Sequence, residues 1–249
     1  MSTVAKAAQA IDLVVRAGET RLVDLTSALG IPKSSAHRLL ATLVAESILT
    51  KDERGCYLPG VRLMVWGSSA ATGFDLRQVA ARHMEVLRDQ TGETVNFHVP
   101  SGESRLCVVA RPGTYPLVPV VPIGESLPLG RGAAGIVLLA YATAELQDRV
   151  IARLREQGHQ PPSAETLARV RETGWHSVCD ELEPGLTAVA VGVRAATGES
   201  VGAVALGGSS ARLTPERVQE ILPEVLACAD RIAADLPETA LATSGHSSR

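Results

Sequence analysis

The stretch Leu22–Leu58, LVDLTSALGIPKSSAHRLLATLVAESILTKDERGCYL, reads as two short helices, a tight turn and a basic hairpin. That order is the layout of a winged helix-turn-helix, a module that docks on DNA. The second helix has the clearest pattern: Ala36, Leu39, Leu40, Leu43 and Val44 recur at helical spacing and give it one apolar face. Its opposite face carries Ser34, Ser35, His37, Arg38, Ala41 and Thr42. Short side chains let a helix backbone approach a duplex, while hydroxyls and a guanidinium reach phosphates and base edges. Gly30-Ile31-Pro32 marks the turn, since Gly permits the positive φ that ends a helix and Pro is tolerated in a first helical turn. Ser34 is an alternative N-cap. Ile48–Lys51 and Cys56–Leu58 read as the strands of the wing, joined by the charged loop Asp52-Glu53-Arg54-Gly55. Upstream, Val4, Ala7, Ala8, Ile11, Val14 and Val15 form a stripe that would pack under the other helices. An ordinary three-helix fragment with a hairpin is the competing interpretation.

Charge weighs mildly against the DNA reading. The 249 residues hold 24 Lys plus Arg against 27 Asp plus Glu, a net charge of −3, so the whole molecule has no strong attraction for polyanions. Between Lys33 and Arg54, however, Lys33, Arg38, Lys51 and Arg54 face only Glu46, Asp52 and Glu53. A locally positive face fits specific, salt-sensitive operator binding. An apolar content of 45% suffices for one large or two modest cores. Cys56, Cys107, Cys179 and Cys228 form no CxxC pair, which suggests reduced thiols in a cytoplasmic protein and neither a zinc ribbon nor a disulfide framework. Lys6, Asp12 and Arg16 interrupt the N-terminal stripe and exclude a signal-peptide core. The run Ala133–Ala144 is too short to span a bilayer, so no membrane role is expected.

Pro59-Gly60 closes the wing, giving a DNA-binding domain over 1–60, a connector helix over 61–73 with Gly67-Ser68-Ser69 interrupting it, a second domain over 74–237, and a disordered tail over 238–249. In the second domain Asp75 opens a helix with Leu76, Val79, Ala80, His83, Met84 and Leu87 on one face, ending at Thr91-Gly92. Strands are expected over Thr94–Val99, Arg105–Ala110, Leu117–Val121, Thr187–Arg194 and Ser200–Gly207, with helices from Ala133 and Ala164 between them. Turns at Ser101-Gly102, Arg111-Pro112-Gly113 and Ala196–Glu199 suit antiparallel hairpins. Thr214-Pro215 starts a last helix whose apolar face runs from Val218 to Ala233. The class is α/β in the α+β sense.

Two motifs invite other chemistry. Gly130-Arg131-Gly132-Ala133-Ala134-Gly135 matches GxGxxG, but Pro119, Pro122 and Pro128 before it forbid the central parallel strand that a dinucleotide fold requires. A glycine-rich helix start can still take a small anion or ligand on its free N–H groups. His176, Cys179 and Asp180 are the one centre available to an enzyme, although their spacing fits no established ligand set and a Cys in an aliphatic domain is usually a small hydrophobe. The acids Asp180-Glu181-Leu182-Glu183 before Pro184-Gly185 read as a surface turn, with a cation site as the alternative.

From about Ala5 to about Leu236 the chain resembles the IclR family of bacterial transcriptional regulators. Three blocks carry the resemblance. They are Gly30–Leu43 with its wing exit Tyr57-Leu58-Pro59-Gly60, Leu127–Ala140 with its small-residue helix start, and Glu183-Pro184-Gly185 with Thr187–Val191, Gly198 and Val201-Gly202-Ala203. The resemblance implies an N-terminal winged helix-turn-helix, a connector helix and a C-terminal GAF-like antiparallel-sheet effector domain, assembled as a homodimer or a dimer of dimers. Carried over by position, the effector pocket would draw on Leu127, Leu129, Ala133, Ala134, Cys179, Asp180, Leu186, Ala188, Ala205 and Gly207. Relatives often have a cation where this chain has Ile136, and polar residues where it has Ala205 and Gly207. The expected effector is therefore small, largely apolar and uncharged, for which an aromatic body would serve, with plain core packing by these residues as the alternative.

The resulting expectation is a homo-oligomeric, ligand-responsive regulator that binds a near-palindromic operator and carries no cofactor, metal or catalytic residue. Arg38 is the first choice for base or phosphate contact, supported by Lys33, Ser34, Ser35, His37, Thr42, Lys51 and Arg54, with Arg21 near the backbone. Effector binding would shift the placement of the DNA-binding domains through the connector. The other classes are an enzyme centred on His176, Cys179 and Asp180, and a scaffold that binds only protein.

Overall fold

The computed structural model describes residues 2–72, 76–115, 121–195 and 198–236, without the side chains of 68–72. Residues 117–120 of the expected third strand, Asp75, the turn residues Ala196 and Thr197, and the tail lie outside them. The chain divides into two compact units, Met1–Phe74 and Asp75–Arg249.

The first unit contains α1 (Thr3–Ala17), α2 (Leu22–Leu29), α3 (Lys33–Ala45), β1 (Leu49–Lys51), β2 (Tyr57–Pro59) and α4 (Val61–Thr72). Its core joins Ala10 and Val14 of α1, Leu25 and Leu29 of α2, and Leu40 and Leu43 of α3 to Leu49 and Tyr57 of the hairpin. The face of α1 differs from the sequence expectation: Val4 and Val15 are exposed, and Ala10 takes their place because the buried positions keep a strict four-residue step to Val14. Between α2 and α3 the chain turns on Gly30 at φ 59°, whose amide bonds the Ser27 carbonyl, a left-handed cap open to glycine without a Cβ penalty. Pro32 stands at the N-cap of α3 and its carbonyl accepts the first helical bond from the Ala36 amide, so Ser34 lies inside the helix and does not cap it. The hairpin pairs Leu49 with Pro59 and Lys51 with Tyr57, and a bridge from Thr20 to Tyr57 ties it to the α1–α2 connection. α4 runs through Gly67-Ser68-Ser69 without a break.

The second unit is built on one fully antiparallel sheet of order β5-β4-β3-β8-β7-β6. The strands are β3 (Thr94–Ser101), β4 (Ser104–Arg111), β5 (Ser126–Pro128), β6 (Trp175–Cys179), β7 (Leu186–Arg194) and β8 (Ser200–Ser209). The helices are α5 (Leu76–Thr91), α6 (Gly132–Ala140), α7 (Ala144–Glu156), α8 (Ala164–Thr173) and α9 (Pro215–Ala234). The edge strands β5 and β6 and the helix α7 go beyond the sequence reading. Each is weak as a sequence signal: β5 is three residues ending in Pro, which only an edge strand tolerates, and α7 buries just Val150 and Leu154.

The two sheet faces are covered differently. Val95, Phe97, Val189, Val191, Val204 and Leu206 point to one face, where α5 and α9 pack on them. The other face offers mainly alanines and glycines, and α6 lies against it. Because α6, GAAGIVLLA, has no polar residue and is buried along its whole length, it behaves as an internal helix. Thr143, Ser163 and Thr214 cap α7, α8 and α9 through their side-chain oxygens. Beside the first core, buried Glu93 takes both guanidinium bonds of Arg212 at 2.8 and 2.9 Å, and Tyr115 stacks on that arginine.

Candidate functional site

Each unit carries one candidate site. On the first unit the apolar stripe of α3 turns the opposite face outward. Lys33, Ser34, His37, Arg38 and Thr42 are exposed and Ser35 is half-buried. Among the described residues neither Lys33 nor Arg38 has an ion-pair partner, so both charges are free to meet a polyanion. The Thr42 hydroxyl donates to the Arg38 carbonyl at 3.0 Å, a bond back into its own helix. Arg21 stands at the N-cap of α2, exposed and without a side-chain capping bond.

The wing cations differ. Lys51 lies over the Tyr57 ring at 5.4 Å and keeps its charge outward. Arg54 is held between Glu19 at 2.6 Å and Asp52 at 2.9 Å, and these two acids raise its pKa. Asp52 also accepts the Cys56 amide at 2.8 Å, which closes the loop. Glu19, Asp52 and Cys56 approach each other closely enough to resemble a metal cluster, but the Arg54 guanidinium already serves both acids.

On the second unit a cavity of about 110 Å³ opens between the sheet and the start of α6. Of the positions named from sequence, Leu127, Ala133, Ala134, Leu186, Ala188, Ala205 and Gly207 line it. Three do not. Leu129 is packed into the core with Val150 and Leu154, and Cys179 is exposed. Asp180 is also exposed, at a positive φ of 58°, where its carboxylate accepts the Gly185 amide at 2.6 Å and closes the loop before β7.

The sequence reading missed the polar lining. Asn96, His98, Arg105 and Glu181 border the same cavity. Along β3 the polar Asn96 and His98 alternate with Val95, Phe97 and Val99, which a period of two would have exposed as a polar stripe on one sheet face. Cross-strand register extends the stripe: His98 faces Cys107 on β4 and Asn96 faces Ala205 on β8. Arg105 lies two residues from Cys107, on the same face. Among the described residues, Asn96 Oδ1, His98 Nδ1 and Arg105 Nε have no hydrogen-bond partner. Burial, followed by the neighbouring Arg105 charge, pushes the His98 pKa down to about 3, so the ring is neutral at physiological pH. Burial also pulls the Arg105 pKa down to about 10, with Glu181 opposing it, and the guanidinium stays charged.

Arg105 also explains the last glycine of the run, Gly135. Its Nη1 donates to the carbonyls of Pro128 at 2.7 Å and Arg131 at 2.6 Å, and a Cβ on Gly135 would collide with that nitrogen. Gly132 has φ 65°, and its amide donates to Glu181 Oε1 at 3.0 Å. Gly135 therefore makes room for a buried arginine after an antiparallel edge strand, and the GxGxxG match is no dinucleotide cradle.

The enzymatic alternative loses its centre. On β6 His176 and Cys179 are three residues apart and so project to opposite sheet faces. His176 Nδ1 meets Arg169 Nη2 at 2.9 Å, and burial together with that charge brings its pKa down to about 4. Asp180 is committed to its own loop.

An outward, partly cationic helix of a winged helix-turn-helix, followed along the chain by a separate α/β unit with a mainly apolar cavity, marks a DNA-binding regulator. Comparison agrees at both ends of the chain. The bacterial transcriptional regulator IclR C-terminal family matches residues 68–234, and the IclR helix-turn-helix domain matches residues 3–53. The transcriptional repressor IclR of Escherichia coli (strain K12) is 26% identical over 225 residues, 86% of this chain and 82% of the relative. The uncharacterized regulator RhmR of the same organism is 26% identical over 235 residues, 92% of this chain and 90% of the relative. Among solved structures, an IclR homolog from Microbacterium hydrocarbonoxydans complexed with 4-hydroxybenzoate has a TM-score of 0.77 at 21% identity, covering 94% of this chain and 99% of that one. The chain belongs to the IclR family of bacterial transcriptional regulators and is a regulator, not an enzyme. No helix among the described residues is long and apolar enough to cross a membrane.

Proposed function

We propose that the protein is a cytoplasmic, ligand-responsive regulator whose α3 enters the major groove of a near-palindromic operator, bound by a dimer or a dimer of dimers. The observation that carries this reading is the outward face of α3, where Lys33, His37 and Arg38 stand exposed beside short side chains. Arg38 contacts a base edge or phosphate. Lys33, Ser34, Ser35 and His37 fix the helix on the backbone, Lys51 grips phosphate from the wing, and Arg21 reaches the backbone from the start of α2. Arg54 and Thr42, each held by bonds within the protein, serve after letting those bonds go. A small organic effector with a largely apolar body occupies the cavity beside α6 and shifts the population of DNA-competent placements. The 4-hydroxybenzoate complex of the Microbacterium hydrocarbonoxydans homolog supports an occupant of that size.

The reading is tested by anisotropy titration of labelled DNA from upstream of the protein's own gene. Arg38→Ala should weaken binding by roughly 1–3 kcal/mol while leaving the thermal midpoint unchanged. Unchanged affinity at moderate salt would remove α3 from the interface.

A further inference from the structure

We infer that Arg105 is the specificity-determining cation of the cavity, that the effector carries a carboxylate to meet it, and that Glu181 is a resident anion which this carboxylate displaces. The inference rests on the effector reading of the cavity given above.

Arg105 is 3% exposed, yet among the described residues no carboxylate closes an ion pair with it. Two backbone carbonyls hold its Nη1, while Nε has no partner among the described residues. A buried charge left in this state is costly, and folds that keep one generally give it a counter-ion. The cavity borders it directly and supplies the space in which such a counter-ion can sit. The apolar Leu127, Ala133, Ala134, Leu186 and Ala188 around it take an apolar body, and Asn96 and His98 offer uncharged polar atoms at the sheet. An apolar monocarboxylate fits this division. Such a ligand departs from the uncharged one expected from sequence: the positions read from sequence are apolar, but a cation comes from β4.

Glu181 already occupies part of this place. Its carboxylate accepts the Gly132 amide at the start of α6 and lines the same cavity, without reaching Arg105 closely enough to pair. A helix start and a guanidinium together stabilise one anion well, but a second carboxylate in so small a space is repelled. An arriving carboxylate therefore takes the position at Arg105 and drives Glu181 outward, with the loop between β6 and β7 that carries it.

The test is calorimetry on the full chain with benzoate and its uncharged counterpart benzamide. Benzoate should bind at least roughly tenfold more tightly, since a buried charge contact is worth that much or more. Glu181→Gln keeps an oxygen for the Gly132 amide and removes the competing charge. It should tighten benzoate roughly tenfold relative to benzamide. Arg105→Gln should abolish the preference. Because that variant also loses the carbonyl bonds that support the fold, Glu181→Gln is the deciding one. Equal binding of the two probes, a Glu181→Gln variant that does not favour benzoate, or no heat from either at millimolar concentration would overturn the inference. Benzamide that binds equally and still alters DNA affinity would leave the regulator reading intact while removing the carboxylate. Benzoate that binds as expected without changing DNA affinity would do the reverse.

Discussion

Arg105 determines what its neighbours can be. Because the guanidinium lies where a Cβ on Gly135 would go, Gly135→Ala should destabilise the second unit by roughly 1–3 kcal/mol, the range for overpacking, as read from the urea midpoint. His98 gives a second consequence at this scale. Its folded pKa of about 3 lies below the 6.5 of a free histidine, so on acidification the unfolded chain takes up the proton first. The stability it supports is complete above pH 6.5 and is lost as pH falls toward 3, at up to about 1.4 kcal/mol per pH unit. Urea unfolding between pH 7 and pH 4.5 should show this slope in the wild type and a shallower one in His98→Gln; equal slopes would mean the ring is not held neutral.

Elements were legible in proportion to the one-sidedness of their sequence. α3, α5 and α9 each have an apolar stripe meeting one core, and their faces could be read from spacing alone. The edge strands β5 and β6 and the helix α7 could not, because an element that touches the core along a short or half-buried line leaves little periodic trace. The cavity divides in the same way. Its alanines and glycines were found through family likeness, whereas Arg105 was passed over because one charged residue in RLCVVA resembles a strand edge until the register places it opposite α6. Helix capping supplies a check: Thr214→Ala should cost about 1 kcal/mol by freeing the Arg217 amide that its hydroxyl now accepts, measured as a lower thermal midpoint of the second unit.

At the scale of the molecule, the two units have separate cores, one centred on Leu25 and Leu40 and the others on the sheet. Leu40→Ala should therefore cost roughly 2–5 kcal/mol in the first unit and abolish DNA binding. Calorimetric binding of benzoate by the second unit should persist. The net charge of −3 concentrates any DNA affinity on α3 and the wing, so binding should weaken steeply with salt despite an overall negative chain. The central claim joins the two units: occupancy of the cavity changes how the first unit holds DNA. Its most direct test is anisotropy of labelled DNA from upstream of the protein's own gene, titrated with the 249-residue chain with and without saturating benzoate. A shift in operator affinity of roughly five-fold or more is expected, a coupling of about 1 kcal/mol. Superimposable titration curves, with benzoate independently shown to be bound, would contradict it.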